Sequence, residues 1–335
     1  MELPKLTDLD VSGKKILLRL DLDTDPNSND LRIKASDETL NYLKERGARI
    51  IILAHRGRPA SADASARQAL SLKPFQPIFD KWGAVVTENL RFDPGEESND
   101  PEFAKKLASL GDIYVNEAFG SSHRAHASIV GLPKLLPHAV GLHFEKEIEN
   151  LLKVIDLPAE ATPRALQAGN PTRPLIIILS GIKKDKLEMI EPLSKLADKV
   201  LVGGRLPEFL GDAALESVRL QGSDKKVIIG NLNMDKEDIT LNTIERFEKE
   251  ILKSKTVVLA GVLGKYEDPG HRQGTERIFK AVAESSAFKV VGGGDSLQVV
   301  SSLNLSQSFD WISVGGGAML EFLTKKTLPG IKALL

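Results

Sequence analysis

Short, wholly aliphatic runs alternating with helix-period stripes constrain this chain more than any other feature. Ile50–Ala54 and Leu175–Leu179 contain no polar residue, the mark of a strand buried on both faces rather than one. Shorter runs follow suit: Ile16–Leu18, Val85–Val86 and Ile113–Val115 first, then Val200–Val202, Val227–Ile229, Val257–Leu259, Val290–Val291 and Ile312–Val314. Between them lie apolar residues at helical spacing, among them Leu40/Leu43, Phe75/Ile78/Phe79/Trp82, Phe103/Leu107/Leu110, Ile190/Leu193 and Ile244/Phe247/Ile251. Strand and helix in alternation predict parallel sheets covered on both faces, a doubly wound α/β fold.

A chain of 335 residues exceeds what one hydrophobic core usually spans. The strongly patterned helix Phe144–Ile155 is followed by Asp156–Pro174, a stretch holding four prolines, which reads as a linker. The boundary is therefore expected there, with a domain over 1–155, a hinge helix, and a second Rossmann-like domain from 156 onward.

In open α/β sheets ligands bind beyond the carboxyl ends of the strands, so residues at strand exits carry the functional argument. The run Ile50–Ala54 ends in His55-Arg56-Gly57-Arg58-Pro59; the stretch after Ile16–Leu18 brings Arg19, Asp21, Asp23 and then Arg32. Val85–Val86 is followed by Arg91, and Ile113–Val115 by His123 and Arg124. Guanidinium donors match carboxylate and phosphate oxygens in bidentate geometry. Basic residues at each of these exits predict an anion site in the first domain. The formal net charge of −1 gives no global pull toward nucleic acid or membrane, so the site is local. There is no cysteine, hence no disulfide, thiolate metal site or thiol nucleophile. No apolar run approaches ~18 residues and the start lacks a signal pattern, so a cytoplasmic protein is expected.

In the second domain three strand exits are glycine-rich: Ser180-Gly181-Ile182-Lys183, Gly292-Gly293-Gly294-Asp295-Ser296 and Gly315-Gly316-Gly317-Ala318. Glycine lets backbone N–H groups approach a ligand, and a helix starting there adds a field that favours phosphate. Neither a Walker loop nor a dinucleotide fingerprint is present. Asp295 suits a Mg2+ carboxylate or an N-cap. Arginines for an acid in one domain and glycine turns with a lysine in the other describe phosphoryl transfer between a small acid and a nucleotide.

The chain resembles the phosphoglycerate kinase family along nearly its whole length. The first-half matches are Arg19-Leu-Asp21-Leu-Asp23, His55-Arg-Gly-Arg58-Pro, Glu88-Asn-Leu-Arg91-Phe, Asp100-Pro-Glu-Phe-Ala-Lys-Lys-Leu, Ala118-Phe-Gly-Ser-Ser-His-Arg124-Ala-His126-Ala-Ser and Glu145-Lys-Glu. Gly181-Ile-Lys183, Lys255-Thr-Val-Val, Gly292-Gly-Gly-Asp-Ser296, Gly315-Gly-Gly-Ala and Leu328-Pro-Gly330 continue them in order. The resemblance implies that Asp21, Asp23, Arg32, His55, Arg58, Arg91 and Arg124 hold 3-phosphoglycerate or 1,3-bisphosphoglycerate. It implies nucleotide contacts from Gly181, Lys183, Lys186, Gly203, Gly204, Glu267, Gly293, Gly294, Asp295 and Ser296, with Mg2+ on Asp295 and ATP or ADP as substrate. Arg32, Lys183 and the Gly294 amide would act on the phosphoryl in flight. The nucleotide domain would span 156–323, the tail 324–335 would return to the first domain, and a monomer is implied.

Several positions depart from the family pattern. Asp23 stands where the family has Asn, Glu117 where it has Asp, Val202 at its first nucleotide-side glycine, and Ala260 within its Trp-Asn-Gly-Pro. Lys183 and Lys186 are one residue closer than usual, so Lys184 competes for the second role. The chain is also several tens of residues shorter than typical members. The alternative these departures raise is a non-catalytic relative that binds one ligand as a regulator or scaffold.

Overall fold

The computed structural model describes residues 2–57, 70–156, 172–210 and 226–335. The chain separates into two compact units, Met1–Glu149 with Thr327–Leu335, and Asn150–Lys326.

The first unit is built on β1 (Lys15–Arg19), β2 (Arg49–Leu53), β3 (Val85–Val86), β4 (Ile113–Asn116) and β5 (His138–Val140). They form a sheet in the order β3-β2-β1-β4-β5, every pairing parallel. Ile16, Leu17 and Leu18 are fully buried, as a strand with helices on both faces requires. The register sets Arg19 of β1 beside Leu53 of β2 and Asn116 of β4, so these three exits leave the sheet level with one another. The chain reverses its direction of travel across the sheet between β1 and β4, which makes that crevice the topological switch point.

The second unit carries β6 (Leu175–Leu179), β7 (Lys199–Val202), β8 (Val227–Ile229), β9 (Thr256–Ala260), β10 (Phe288–Gly292) and β11 (Trp311–Ser313). Their order is β11-β10-β9-β6-β7-β8, again all parallel. Each residue of Leu175–Leu179 is at most 2% exposed, and burying one such side chain stabilises by roughly 1.5–3 kcal/mol. Leu179 pairs with both Val202 and Ala260, and Gly292 with both Ala260 and Ser313. Five exits therefore end in one row, with the switch between β6 and β9.

The two parallel sheets with flanking helices are those expected from the alternating pattern, and the differences have local causes. The helix read across Pro74–Trp82 breaks into a 3-10 turn Lys73–Phe75, a helix Gln76–Phe79 and a second 3-10 turn Asp80–Trp82. Pro74 and Pro77 lack the N–H that a continuous helix would need. The helix through the end of the first unit begins at Leu142 rather than Phe144 and runs to Ile155. After β5, an unexpected strand, the amide hydrogens of His143 and Phe144 go to the carboxylate of Glu117 at 3.1 and 2.9 Å. At the far end of the sequence the short helix Pro329–Lys332 packs on the first unit, the Gly330 amide donating to the Ser122 carbonyl at 2.8 Å. No helix among the described residues is long and apolar enough to cross a membrane.

Candidate functional site

At the switch point of the first sheet, β1 delivers Arg19 with no solvent exposure at all. Its Nε donates to Ser128 Oγ at 2.9 Å, and one terminal nitrogen sits 2.7 Å from His55 Nδ1. The other terminal nitrogen donates to the Leu20 carbonyl. His55, two residues past β2, is 2% exposed and meets His126 edge-on with centroids 6.4 Å apart. Burial pushes the His55 imidazole well below its ordinary value, and the charges of Arg19, Arg91 and Arg124 push the same way. His126 is driven down to about 3 by burial and by Arg91, Arg124 and Arg19. Both rings are neutral at physiological pH.

Arg91, past β3, is buried as well; it donates to the Gly57 carbonyl and pairs through Nε with Glu97 at 2.9 Å. Burial and the neighbouring Arg124 lower its pKa, while Glu97 and Asp23 support its charge. Asp23 Oδ1 accepts the Gly57 amide at 2.8 Å, so the carboxylate that replaces the family's Asn is engaged by the backbone. Arg32 donates to the Asp23 carbonyl, and its own amide is taken by Asp30 at 2.8 Å. Asp21 Oδ1 accepts the Asp23 amide at 3.2 Å. Arg124, half-buried past β4, has its Nε 3.3 Å from His123 Nε2. Of the expected acid-side residues, Asp21, Asp23, Arg32, His55, Arg91 and Arg124 are thus drawn to one edge of the sheet. Arg58 lies outside the described residues.

Sequence reasoning noted Arg19 at a strand exit and Ser128 at the end of a family match and gave neither a role; it missed Glu96 altogether. Glu96 is fully buried and accepts from Ser128 Oγ at 2.6 Å and from the Ser128 amide at 2.9 Å. A charged residue directly after Leu17-Leu18, in a strand with no exposed face, is the one local signal that could have marked Arg19.

In the second unit the β6 exit differs from the expected glycine-then-helix form. Gly181 leads into a 3-10 helix, Lys184–Met189, and the α-helix starts only at Ile190. Pro192 explains the delay, because proline is tolerated in the first turn of an α-helix and not deeper. Lys183 is exposed, whereas Lys186 turns its ammonium inward onto the Ser180 carbonyl and the Ala260 carbonyl, the latter at 3.2 Å. Lys186 therefore bridges the ends of β6 and β9, at the switch point. Burial lowers its pKa to about 8, against the supporting charge of Asp295.

The other two glycine turns do open helices, Gly294–Ser302 and Gly316–Lys325. Gly293 is the N-cap, with φ of 108°, a backbone conformation open to glycine alone. Asp295 is consequently a first-turn residue and not the cap, placed where the helix dipole favours a carboxylate. Ser296 Oγ accepts the Gly261 amide at 3.0 Å, tying the β9 and β10 exits together. Gly204, at the β7 exit with φ of 59°, packs so closely on Gly181 that a Cβ would stand 2.6 Å from its nitrogen. Gly203 precedes it, and Glu267 lies exposed on the loop leaving β9. The arrangement is a row of glycine turns and helix starts with two lysines at the β6 exit, fit to hold a polyphosphate.

Comparison with known proteins shows a single family across the chain. The family model described as phosphoglycerate kinase matches residues 6–83, 79–227 and 212–326. A phosphoglycerate kinase of Dictyoglomus turgidum is 35% identical over 399 aligned positions, covering 98% of this chain and 97% of its own length. That of Solibacter usitatus is 35% identical over 400, with 98% of each chain covered. Among solved structures, the phosphoglycerate kinase from Coxiella burnetii superposes with a TM-score of 0.76 at 27% identity, covering 99% of both chains. The Pyrococcus horikoshii enzyme gives 0.79 at 26% identity over 98% of both.

Proposed function

The chain belongs to the phosphoglycerate kinase family, and we propose that it transfers a phosphoryl group reversibly between 1,3-bisphosphoglycerate and ADP, giving 3-phosphoglycerate and ATP in glycolysis. The observation that carries this reading is the division of labour: a cluster of arginines and neutral histidines at one switch point, a row of glycine-started turns at the other. The unit Met1–Glu149 holds the acid through Asp21, Asp23, Arg32, His55, Arg58, Arg91 and Arg124. The unit Asn150–Lys326 holds the nucleotide through its glycine turns, Lys183, Lys186, Glu267, Asp295 and Ser296. The acceptor is the carboxyl group of the acid.

No protein nucleophile is required, since a carboxylate oxygen and a nucleotide phosphate oxygen are competent on their own. The residues contribute positioning and charge neutralisation. Arg32 and Lys183 are the cations that tighten on the phosphoryl in flight, and the Gly294 amide donates to it. Transfer without a covalent intermediate needs both ligands at one centre, so turnover entails a hinge motion.

Among the described residues no group of three or more His, Cys, Asp or Glu could hold a metal alone. A single carboxylate such as Asp295 suits Mg2+ that arrives on the phosphates, because Mg2+ binds through one or two carboxylates plus substrate oxygens. When bound, it neutralises phosphate charge. The protein acts as a cytoplasmic monomer.

The test is a coupled assay with magnesium, ATP and 3-phosphoglycerate, joined to calorimetric titration with each ligand. Turnover together with binding of both ligands is expected. Binding of one ligand without turnover would favour the regulatory relative instead; retention of Lys183, Asp295 and Glu267 argues against it.

A further inference from the structure

The contact between Arg19 and His55 fixes more than packing. A guanidinium has donors only, so with Arg19 2.7 Å from Nδ1, Nδ1 must accept. A neutral imidazole that accepts at Nδ1 carries its hydrogen on Nε2. Arg19 is itself held at every other nitrogen. One terminal nitrogen donates to the Leu20 carbonyl, and Nε donates to Ser128 Oγ. Ser128 has one hydroxyl hydrogen, and Glu96 takes it at 2.6 Å while also taking the Ser128 amide at 2.9 Å. The hydroxyl oxygen is left to receive Arg19. The direction of donation is therefore set from Glu96 outward: Ser128 gives to Glu96, Arg19 gives to Ser128, and Arg19 gives to His55.

We propose that His55 meets the substrate as a neutral donor through Nε2–H, locked in that tautomer by the buried relay Glu96–Ser128–Arg19, whose members are positioning residues. This rests on the reading of the first unit as the acid-binding half. The groups facing His55 are Arg19 from β1, Arg91 from the β3 exit, and Arg124 and His126 from the β4 exit. All are cationic or neutral, so none favours a second charge on the ring. Among the described residues His55 Nε2 makes no hydrogen bond, which leaves its hydrogen for a ligand oxygen. The arginines supply the charge for the anion; His55 supplies a directional contact that stays the same across the physiological pH range.

The decisive measurement is the two-bond 1H–15N correlation pattern of the histidines in the intact 15N-labelled protein, with His55→Asn serving only to assign the resonance. The pattern of a neutral Nε2–H ring, constant from about pH 5.5 to 8, is expected. An Nδ1–H pattern, a tautomer mixture, or a titration midpoint near 6.5 would overturn the proposal. In Ser128→Ala and Glu96→Gln the His55 pattern should move toward a tautomer mixture. KM for 3-phosphoglycerate should rise roughly threefold to tenfold with a smaller change in kcat. An unchanged His55 pattern in both variants, with folded circular dichroism, would remove the relay from the account. If either variant fails to fold, the wild-type spectrum still decides the tautomer. Absence of turnover in the coupled assay would instead sink the functional reading and leave the tautomer result standing.

Discussion

The carboxylate of Glu117, at the exit of β4, receives the amide hydrogen of Phe144 at 2.9 Å and so caps a helix that starts 25 residues later in the chain. The same carboxylate takes the His143 amide and the Thr39 hydroxyl. His143 in turn lies 3.6 Å from Glu147, one helical turn further on. Two buried carboxylates and one imidazole thus share the start of this helix.

A pH dependence of stability follows. Burial opposes the charged form of His143, but Glu147 and Glu117 outweigh it and the ring's pKa is raised above 6.5. A raised folded value means the contribution is fully present below the unfolded pKa and is lost as pH climbs through the folded one. Burial also raises the pKa of Glu117, so ionising it works against the fold as pH rises above the usual carboxylate range. Urea midpoints should fall between about pH 6 and 8.5 in the wild type and fall less in His143→Gln; parallel curves would refute this origin.

Arg32→Ala and Arg124→Ala should each lower kcat/KM by about a hundredfold or more, the loss seen when a donor to developing charge is removed. Arg32 lies in the short helix Leu31–Lys34 rather than on a loop, and Arg124 in a turn past β4; both are half-buried, so unfolding free energies should stay within ~0.5 kcal/mol of wild type. Arg91→Ala should differ by costing about 1–3 kcal/mol of stability as well, because it strips buried partners from Gly57 and Glu97. Chemical denaturation beside the coupled assay checks all three.

Lys183→Ala should lower kcat more than it raises KM for nucleotide, the signature of an interaction made in the transition state. Lys186 is expected to announce itself by proton uptake. With a pKa of about 8 in the free protein, it is about half protonated at that pH, and an approaching phosphate favours the charged form. Calorimetry of ADP binding at pH 8 in buffers of different ionisation enthalpy should show uptake of about half a proton, abolished in Lys186→Met. No uptake would mean that Lys186 stays on its carbonyls and never meets the nucleotide.

Gly316→Ala places a Cβ 2.5 Å from the Gly293 Cα, backbone against backbone. Forced separation of the two glycine turns costs about 1–3 kcal/mol. ADP affinity should drop by roughly tenfold or more, with the 3-phosphoglycerate isotherm unchanged. Equal weakening of both ligands would point to general unfolding instead.

What the sequence made legible was the part of the fold written in local pattern. Leu175–Leu179 could be nothing but an interior strand, and Asp100-Pro101 announced a helix start that the structure fulfils, Asp100 accepting the Phe103 amide at 2.8 Å. Strand β5 escaped notice because three residues directly after Pro137 leave almost no periodic signal. The arginines at strand exits could be listed from sequence. The relay behind them could not, since Ser128 and Arg19 meet only through the tertiary fold, and the turned-in ammonium of Lys186 depends on carbonyls at two strand ends.

The segment Thr327–Leu335 belongs to the first unit although it follows every residue of the second. During synthesis the first unit therefore begins to form early, yet its surface around Ser122 and His138 stays uncovered until the ribosome has made the whole of Asn150–Lys326. Covering that surface is thereby coupled to the prior making of the second unit.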